Sequence, residues 1–122
     1  MSSINDSWYY KSTEFKKEQV INTRLYDCYD EYFIAYKGIR SDNYSAFNFQ
    51  YQYFVGNIYE SFADCSDDED SFGLSAWTYE DAKDYCDEKI IKVKIYYKDV
   101  ARVVHSGGKI RCSKFEVLEE IE

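Results

Sequence analysis

The chain of 122 residues contains no proline, a single histidine and a single methionine. It has no apolar run near the ~18 residues that a membrane-spanning helix needs. Its first residues, MSSINDSWYYK, lack the apolar stretch of a secretory signal. We therefore expect a cytoplasmic protein, inside a bacterial host cell, that makes no contact with a membrane.

The cysteines do not form a recognisable ligand or redox pattern. Cys28, Cys65, Cys86 and Cys112 are far apart in sequence, so the chain has no C-x-x-C pair. His105 is the only histidine, and a zinc centre would need an unusual set of scattered ligands. The sequence predicts reduced, mostly buried cysteines, with no metal and no other cofactor.

Aromatic residues are abundant, at 20% of the chain, and include 14 Tyr and 8 Phe. A disordered chain would be poor in such residues. The net charge of −8 argues against a general nucleic-acid binder, which would be basic, so we expect no direct contact with nucleic acid. The length favours one domain.

Charge is concentrated in two adjacent blocks. Residues 64–88 hold ten acids and one base, and residues 89–115 hold eight bases and one acid. Closely spaced carboxylates can imitate nucleic-acid phosphates and occupy a basic groove of a partner. They can equally form a solvated surface that keeps a tyrosine-rich protein soluble. The ten acids are Asp64, Asp67, Asp68, Glu69, Asp70, Glu80, Asp81, Asp84, Asp87 and Glu88.

The first half of the chain predicts one helix followed by strands. Spacing of apolar residues predicts a helix over 14–23, with Ser12 or Thr13 as its N-cap. Aromatic and β-branched residues predict a strand over 32–38. Strict alternation over 47–53 predicts a strand that forms a hairpin with 58–59.

The second half predicts a helix over 79–87, opened by Thr78, and strands over 90–97, 100–104 and 110–118. The order of these elements indicates the α+β class. We predict a polar lead-in over 1–12. A single domain then follows over 13–122, with a mainly antiparallel curved β-sheet and two short helices.

Basic residues of the later strands could contact nucleic acid, but pairing with the protein's own acids explains them better. These residues are Lys92, Lys94, Lys98, Arg111 and Lys114.

Four segments, in this order, resemble an uncharacterised family of small phage and prophage proteins. The family's pattern is A-Y/F-K-G-F, F-Q-Y-x-V-G-x-x-Y-E, G-F-H-A-C and K-V-x-A-S-K-I-x-I-L. The matching segments are 35–39 (AYKGI), 51–60 (YQYFVGNIYE), 73–77 (GLSAW) and 109–118 (KIRCSKFEVL). Ser75 and Trp77 replace the family's His and Cys, so any chemistry of those two residues would be lost here. The resemblance implies a mobile-element setting and no particular activity.

A second resemblance is to ADP-ribosyltransferase folds. Tyr36-Lys37-Gly38 is similar to their Y-x-G strand, Phe72-Gly73-Leu74-Ser75 stands in for their F-x-S-x-S segment with Trp77 in place of the second Ser, and Glu116 is similar to their catalytic glutamate. The resemblance implies a nucleotide site made by Tyr36, Lys37, Ser75 and Glu116. Lys37 would hold the pyrophosphate in place of an arginine.

Three functions follow as hypotheses. The leading one is a non-catalytic, phage- or prophage-encoded accessory protein that binds and inhibits a host or defence protein. Its ten acids would contact a basic surface of that partner, as a nucleic-acid mimic or anti-CRISPR-like protein does. The alternatives are an ADP-ribosyltransferase-like nucleotide-binding domain or enzyme, and a structural or assembly protein whose exposed tyrosines make an oligomer. The sequence leaves the oligomeric state open.

Overall fold

A computed structural model of the chain describes residues 12–45, 51–63, 73–104 and 108–121. The predicted lead-in, except for Ser12, lies outside these residues. The described residues form an α+β domain, with two helices and a sheet of eight strands that all pair antiparallel. No helix among them is long and apolar enough to cross a membrane.

Both helices begin where a hydroxyl side chain caps them. Helix α1 covers Thr13–Thr23, and the Ser12 hydroxyl accepts a hydrogen bond from the Phe15 amide at 3.1 Å. Helix α2 covers Tyr79–Tyr85, and the Thr78 hydroxyl accepts one from the Asp81 amide at 3.2 Å. Such caps satisfy amides that have no partner within the helix. Both predicted helices are confirmed, with α2 two residues shorter than expected.

The strands are β1 (Asp27–Cys28), β2 (Tyr32–Ile39), β3 (Ile58–Glu60), β4 (Leu74–Trp77), β5 (Lys89–Tyr96), β6 (Val100–Val104), β7 (Lys109–Cys112) and β8 (Lys114–Glu120). Their spatial order in the sheet is β3-β8-β5-β2-β4-β7-β6, and β1 pairs with β2 off this path. A 3₁₀ turn, Tyr97–Asp99, joins β5 to β6.

The central pair, β2 and β5, gives the sheet two different faces. Directly opposite residues of an antiparallel pair point to the same side. Phe33 therefore shares the inner face with Ile95, and Ala35 shares it with Val93; all four are fully buried. Alternation places Ile34, Tyr36 and Gly38 on the outer face. Apolar burial on the inner face supplies the main core.

Helix α2 covers one end of the outer face. At Gly38, an added Cβ would lie 2.2 Å from the Cys86 carbonyl oxygen and 2.3 Å from that of Ala82. Only glycine allows the helix to approach the strand so closely. Trp77, Ala82 and Ile90 form a second buried cluster beneath α2.

A single residue, Ser113, separates β7 from β8, although these strands lie far apart in the sheet. The Ser113 amide donates to the Asp99 carbonyl at 2.9 Å, and its carbonyl accepts from the Ser61 amide at 2.9 Å. Asp99 immediately precedes β6 and Ser61 immediately follows β3, and these are the two edge strands of the order. The open sheet therefore curls until its edges meet at Ser113.

Two strand predictions need correction. The hairpin between 47–53 and 58–59 is wrong, because β3 pairs with β8. Residues 46–50 lie outside the described residues, and from 51 to 53 only Gln52 forms a bridge, to Tyr44. The Tyr59 side chain, and not a backbone ladder, connects this segment to β3. Its hydroxyl accepts a hydrogen bond from the Phe54 amide and donates one to the Gln52 carbonyl, both at 2.8 Å. The predicted closing strand over 110–118 is two strands, β7 and β8.

Candidate functional site

All five acids in the described part of the acidic block are exposed. Glu80, Asp81 and Asp84 lie on α2, and Asp87 and Glu88 lie in the turn that leads to β5. Glu80 and Asp84 are four residues apart on α2 and share a helical face, whereas Glu88 lies beyond the end of the helix at Tyr85. The remaining predicted contact residues, Asp64, Asp67, Asp68, Glu69 and Asp70, lie outside the described residues.

Few opposite charges accompany these acids. Lys83 is the only base between residues 73 and 88, and its ammonium lies 5.8 Å from the centre of the Tyr79 ring. The Glu88 carboxylate accepts a hydrogen bond from the Ser41 amide at 2.9 Å. Ion pairs elsewhere in the described residues use other carboxylates, those of Asp30, Asp42, Glu60 and Glu120.

An exposed aromatic residue lies between these acids in the sequence. Tyr85, the last residue of α2, is 38% exposed, and its ring stacks on Trp77 with centroids 4.6 Å apart. Trp77 itself is buried and holds the tyrosine in place from below. We call the surface formed by Glu80, Asp81, Asp84, Tyr85, Asp87 and Glu88 the acidic helix surface.

The described residues on either side of the acidic segment, Ala63 and Gly73, lie close together. An added Cβ at Gly73 would lie 3.0 Å from the Ala63 Cβ, so the chain leaves and re-enters the described fold at one place. Gly73 adopts a φ of +135°, a conformation that favours glycine. From Gly73, the four residues of β4 lead directly to the start of α2.

Two of the four residues proposed for a nucleotide site are in contact. The Lys37 ammonium donates to the Ser75 carbonyl at 2.8 Å and approaches the Ser75 hydroxyl at 3.4 Å. It also lies 5.0 Å from the Trp77 ring and 5.6 Å from the Tyr53 ring. Lys37 is only 2% exposed, and this burial lowers its pKa from 10.5 to about 8.

The other two residues lie on the opposite face. Lys37 pairs with Ile91 on the inner face, whereas Glu116 pairs with Lys94, which lies opposite Ile34 on the outer face. Tyr36 also points outward, with its ring 5.7 Å from that of Tyr79. Tyr36, Lys37, Ser75 and Glu116 therefore do not meet in one cleft. This placement is a correction to the arrangement that the transferase resemblance implied.

The structure brings cations into the interior that the sequence did not single out. Lys109 is 7% exposed and Arg111 is 1% exposed, both on β7, and Lys109 lies 5.5 Å from the Trp77 ring on which Lys37 also packs. Arg111 is therefore not part of a common exposed face with the other basic strand residues. No local signal predicts this burial, because β7 (KIRC) alternates basic and apolar residues as a strand with one face in solvent does.

The other end of the outer face carries lysine and tyrosine side chains instead of a helix. The Lys94 ammonium lies 4.4 Å from the Tyr32 ring and 5.0 Å from the Tyr96 ring. A hydrogen bond to the Tyr96 side chain raises the pKa of Lys94. Tyr29 stacks on Tyr32 with centroids 5.0 Å apart. This tyrosine–lysine surface consists of Tyr29, Tyr32, Lys94 and Tyr96.

The described cysteines, Cys28, Cys86 and Cys112, are free thiols. Burial raises the pKa of Cys112 to about 12 and also raises that of Cys28, so neither is an activated nucleophile. Within the described ranges, no group of three or more His, Cys, Asp or Glu side chains could hold a metal ion.

No family model, curated protein or solved structure matches the chain.

Proposed function

We propose that this protein is a non-catalytic binder that uses the acidic helix surface to occupy a basic surface of a partner protein. The observation that carries the proposal is the exposure of all five carboxylates between residues 80 and 88, beside the only lysine of that stretch. Concentrated charge of one sign raises the rate of encounter with an oppositely charged surface. The acidic segment 64–70 adds five more acids to the same region of sequence.

The ring of Tyr85 favours arginine over lysine on the partner. A guanidinium can stack on an exposed aromatic ring while its N–H groups pair with carboxylates, and an ammonium has no flat face to stack. Tyr85 is held by Trp77, so it loses little freedom on binding. Basic surfaces that bind nucleic acid carry arginines for phosphate contact, and closely set carboxylates compete for the same groups.

The class of partner is part of the same proposal. The resemblance to phage and prophage proteins supports a host or defence protein, and the competition with phosphate supports one that normally binds nucleic acid.

Two peptides of equal length and charge, one rich in arginine and one rich in lysine, test the surface directly. Fluorescence anisotropy should show tighter binding of the arginine peptide, and this binding should weaken steeply as salt rises. The double reversal Glu80→Lys/Asp84→Lys should weaken it roughly tenfold or more. Tyr85→Ala should remove the preference for arginine.

A matched control is available on the other helix. Glu14 and Glu18 are exposed and four residues apart on α1, as Glu80 and Asp84 are on α2. The reversal Glu14→Lys/Glu18→Lys changes the net charge equally, so it should leave most of the binding intact. If both double reversals weaken binding equally, only total charge matters and the proposed surface is wrong.

The partner class has its own test. Protein captured from a bacterial lysate at low salt should include nucleic-acid-binding proteins, and Glu80→Lys/Asp84→Lys should lose them while Glu14→Lys/Glu18→Lys keeps them. Capture that survives both high salt and the α2 reversal would contradict the proposal.

A further inference from the structure

A cleft of about 410 Å³ lies where the two edges of the sheet meet. It is on a different part of the fold from the acidic helix surface, because it is formed by the chain around β3, β8 and the start of β6. Its volume is within the range of small-molecule sites, ~300–1,000 Å³. It is lined by Glu60, Ser61, Phe62, Asp99, Ser113 and Lys114.

The floor of the cleft is fixed by the backbone. Ser113 bonds through its amide to Asp99 and through its carbonyl to Ser61, both at 2.9 Å, so three lining residues cannot move independently. The Ser61 hydroxyl lies 3.4 Å from the Phe62 carbonyl, and the Ser113 hydroxyl lies 3.4 Å from the Asp99 carbonyl. Both contacts are long for O–H···O bonds, so both hydroxyls can still bond to a ligand.

One lining residue has an unmet hydrogen-bonding need. The Oδ2 atom of Asp99 is closed off from solvent and has no hydrogen-bond partner in the described residues. A buried polar atom without a partner is costly, and native proteins retain few of them. Because Oδ2 is closed off in this arrangement, a donor in the cleft reaches it only when the Asp99 side chain rotates.

The charges around the cleft select a neutral ligand. Asp99 and Glu60 oppose an anion, while Lys114 pairs with Glu60 at 3.4 Å and, together with Lys98, opposes a cation near Asp99. The ligand groups that suit this cleft are hydroxyls, because a hydroxyl donates to a carboxylate and accepts from an ammonium without carrying charge. At the mouth, the Phe62 ring is 69% exposed and offers a flat apolar surface.

We infer that this cleft binds a neutral monosaccharide. The sugar's hydroxyls would bond to Asp99, Lys114 and the two serines, and the C–H face of its ring would pack on Phe62. A carboxylate acceptor, an ammonium donor, two hydroxyls and one exposed aromatic ring together match the two kinds of surface that a pyranose presents.

Titration of the ¹⁵N-labelled full chain tests the inference with six probes: glucose, galactose, mannose, N-acetylglucosamine, acetate and methylammonium. At least one sugar should shift the amide signals of Ser61, Phe62, Ser113 and Lys114 in a saturable way, and the two ions should not. No saturable shift with any of the four sugars would overturn the inference. Shifts caused by the ions alone would overturn the charge argument on which it depends.

Variants connect the shifts to the cleft. Phe62→Ala should weaken sugar binding roughly tenfold, the loss expected when an aromatic stacking contact is removed. Phe54→Ala, which also truncates an exposed phenylalanine but lies outside the cleft, should not change it. Asp99→Asn, which keeps the size of the side chain, should weaken it as well. Equal affinity in Phe62→Ala and the unaltered chain would show that the sugar binds elsewhere.

Discussion

The two ends of the β2–β5 pair place a lysine against aromatic rings in opposite environments. At one end, where α2 covers the outer face, Lys37 is buried on the inner face and its pKa is lowered to about 8. At the other end Lys94 lies on the outer face between Tyr32 and Tyr96, and its pKa is raised. Both lysines have rings near them, so the opposite shifts have other causes: burial lowers the pKa of Lys37, and a hydrogen bond to the Tyr96 side chain raises the pKa of Lys94.

The difference has a functional side. At the end covered by α2, a close backbone approach and a buried cluster hold the helix that carries the acids. The open end has no such cover among the described residues, and its rings and lysine contact one another. Binding surfaces presented by rigid elements lose less entropy on association, which favours the covered end as the interface.

The largest effect expected is from closing the gap under α2. Gly38→Ala places a methyl group against the carbonyl oxygens of Ala82 and Cys86, both of them backbone atoms, so the helix must move. We expect a loss of about 3 kcal/mol in the free energy of unfolding, measured by chemical denaturation.

Gly56→Ala is the control for that change. A Cβ at Gly56 meets nothing within 4 Å, and the cost comes only from the φ of +90°, about 1 kcal/mol. A Gly38→Ala variant as stable as Gly56→Ala would contradict the close packing of α2.

The second effect concerns the pH dependence of stability. The pKa of Lys37 is about 8 in the folded protein and 10.5 ordinarily, so the unfolded chain binds more protons between these values and stability rises with pH there. Lys37→Met removes this contribution. The variant's stability relative to the unaltered protein should therefore fall by about 1 kcal/mol between pH 7 and pH 9.

The Lys37→Met variant must be compared with the unaltered protein at each pH, because the buried Cys112 thiol changes the stability of both proteins in the opposite direction at higher pH. The pKa of Cys112 is raised to about 12, so stability due to its thiol is lost as pH rises above 9. Lys94→Met is the control from the open end: the pKa of Lys94 is raised, so its protonation is the same in both states below about pH 10. This variant should show no change relative to the unaltered protein between pH 7 and pH 9.

A third, smaller effect comes from the cap of α2. Thr78→Ala removes the hydroxyl that accepts from the Asp81 amide and should lower stability by about 1 kcal/mol. Relative to the unaltered protein, amide hydrogen exchange in this variant should accelerate more in α2 than in α1. Equal acceleration in both helices would mean that the helices do not unfold separately.

The smallest effect should come from the open end. Tyr29 is half exposed and stacks on Tyr32, so Tyr29→Ser should cost about 0.5 kcal/mol. The Tyr97 hydroxyl bonds to the Tyr29 backbone carbonyl, and this bond remains in the variant. A loss as large as that of Gly38→Ala would remove the contrast between the two ends.

Local patterns predicted the elements that depend on local physics. Both helices follow from capping residues and apolar spacing, and β5 follows from strict alternation with lysine. The hairpin prediction for 47–59 failed because β3 pairs across the sheet with β8, and alternation says nothing about which strand is the partner. The break at Ser113 also escaped prediction, since apolar and β-branched residues continue on both sides of it.

The candidate site also has features that local sequence patterns predict and features that they do not. Exposure of the acids on α2 follows from their charge. The burial of Lys37 and Arg111 does not follow from the sequence, because lysine and arginine are rarely fully buried and no local pattern marks the exceptions. The separation of Lys37 from Glu116 depends on strand order and register, which short sequence similarities do not carry.

The one-residue link at Ser113 has a consequence for how the chain reaches its fold. The strand before it pairs with β4 and β6, and the strand after it pairs with β3 and β5, so among the described residues the edge strands β3 and β6 join the sheet only through residues 109–120. These contacts span long sequence distances, which slows folding. During synthesis on the ribosome, the edges of the earlier strands that pair with residues 109–120 stay unpaired until those residues emerge. A nascent chain stopped before residue 109 therefore exposes those edges to its neighbours, and aggregation during synthesis is the hazard that this topology creates.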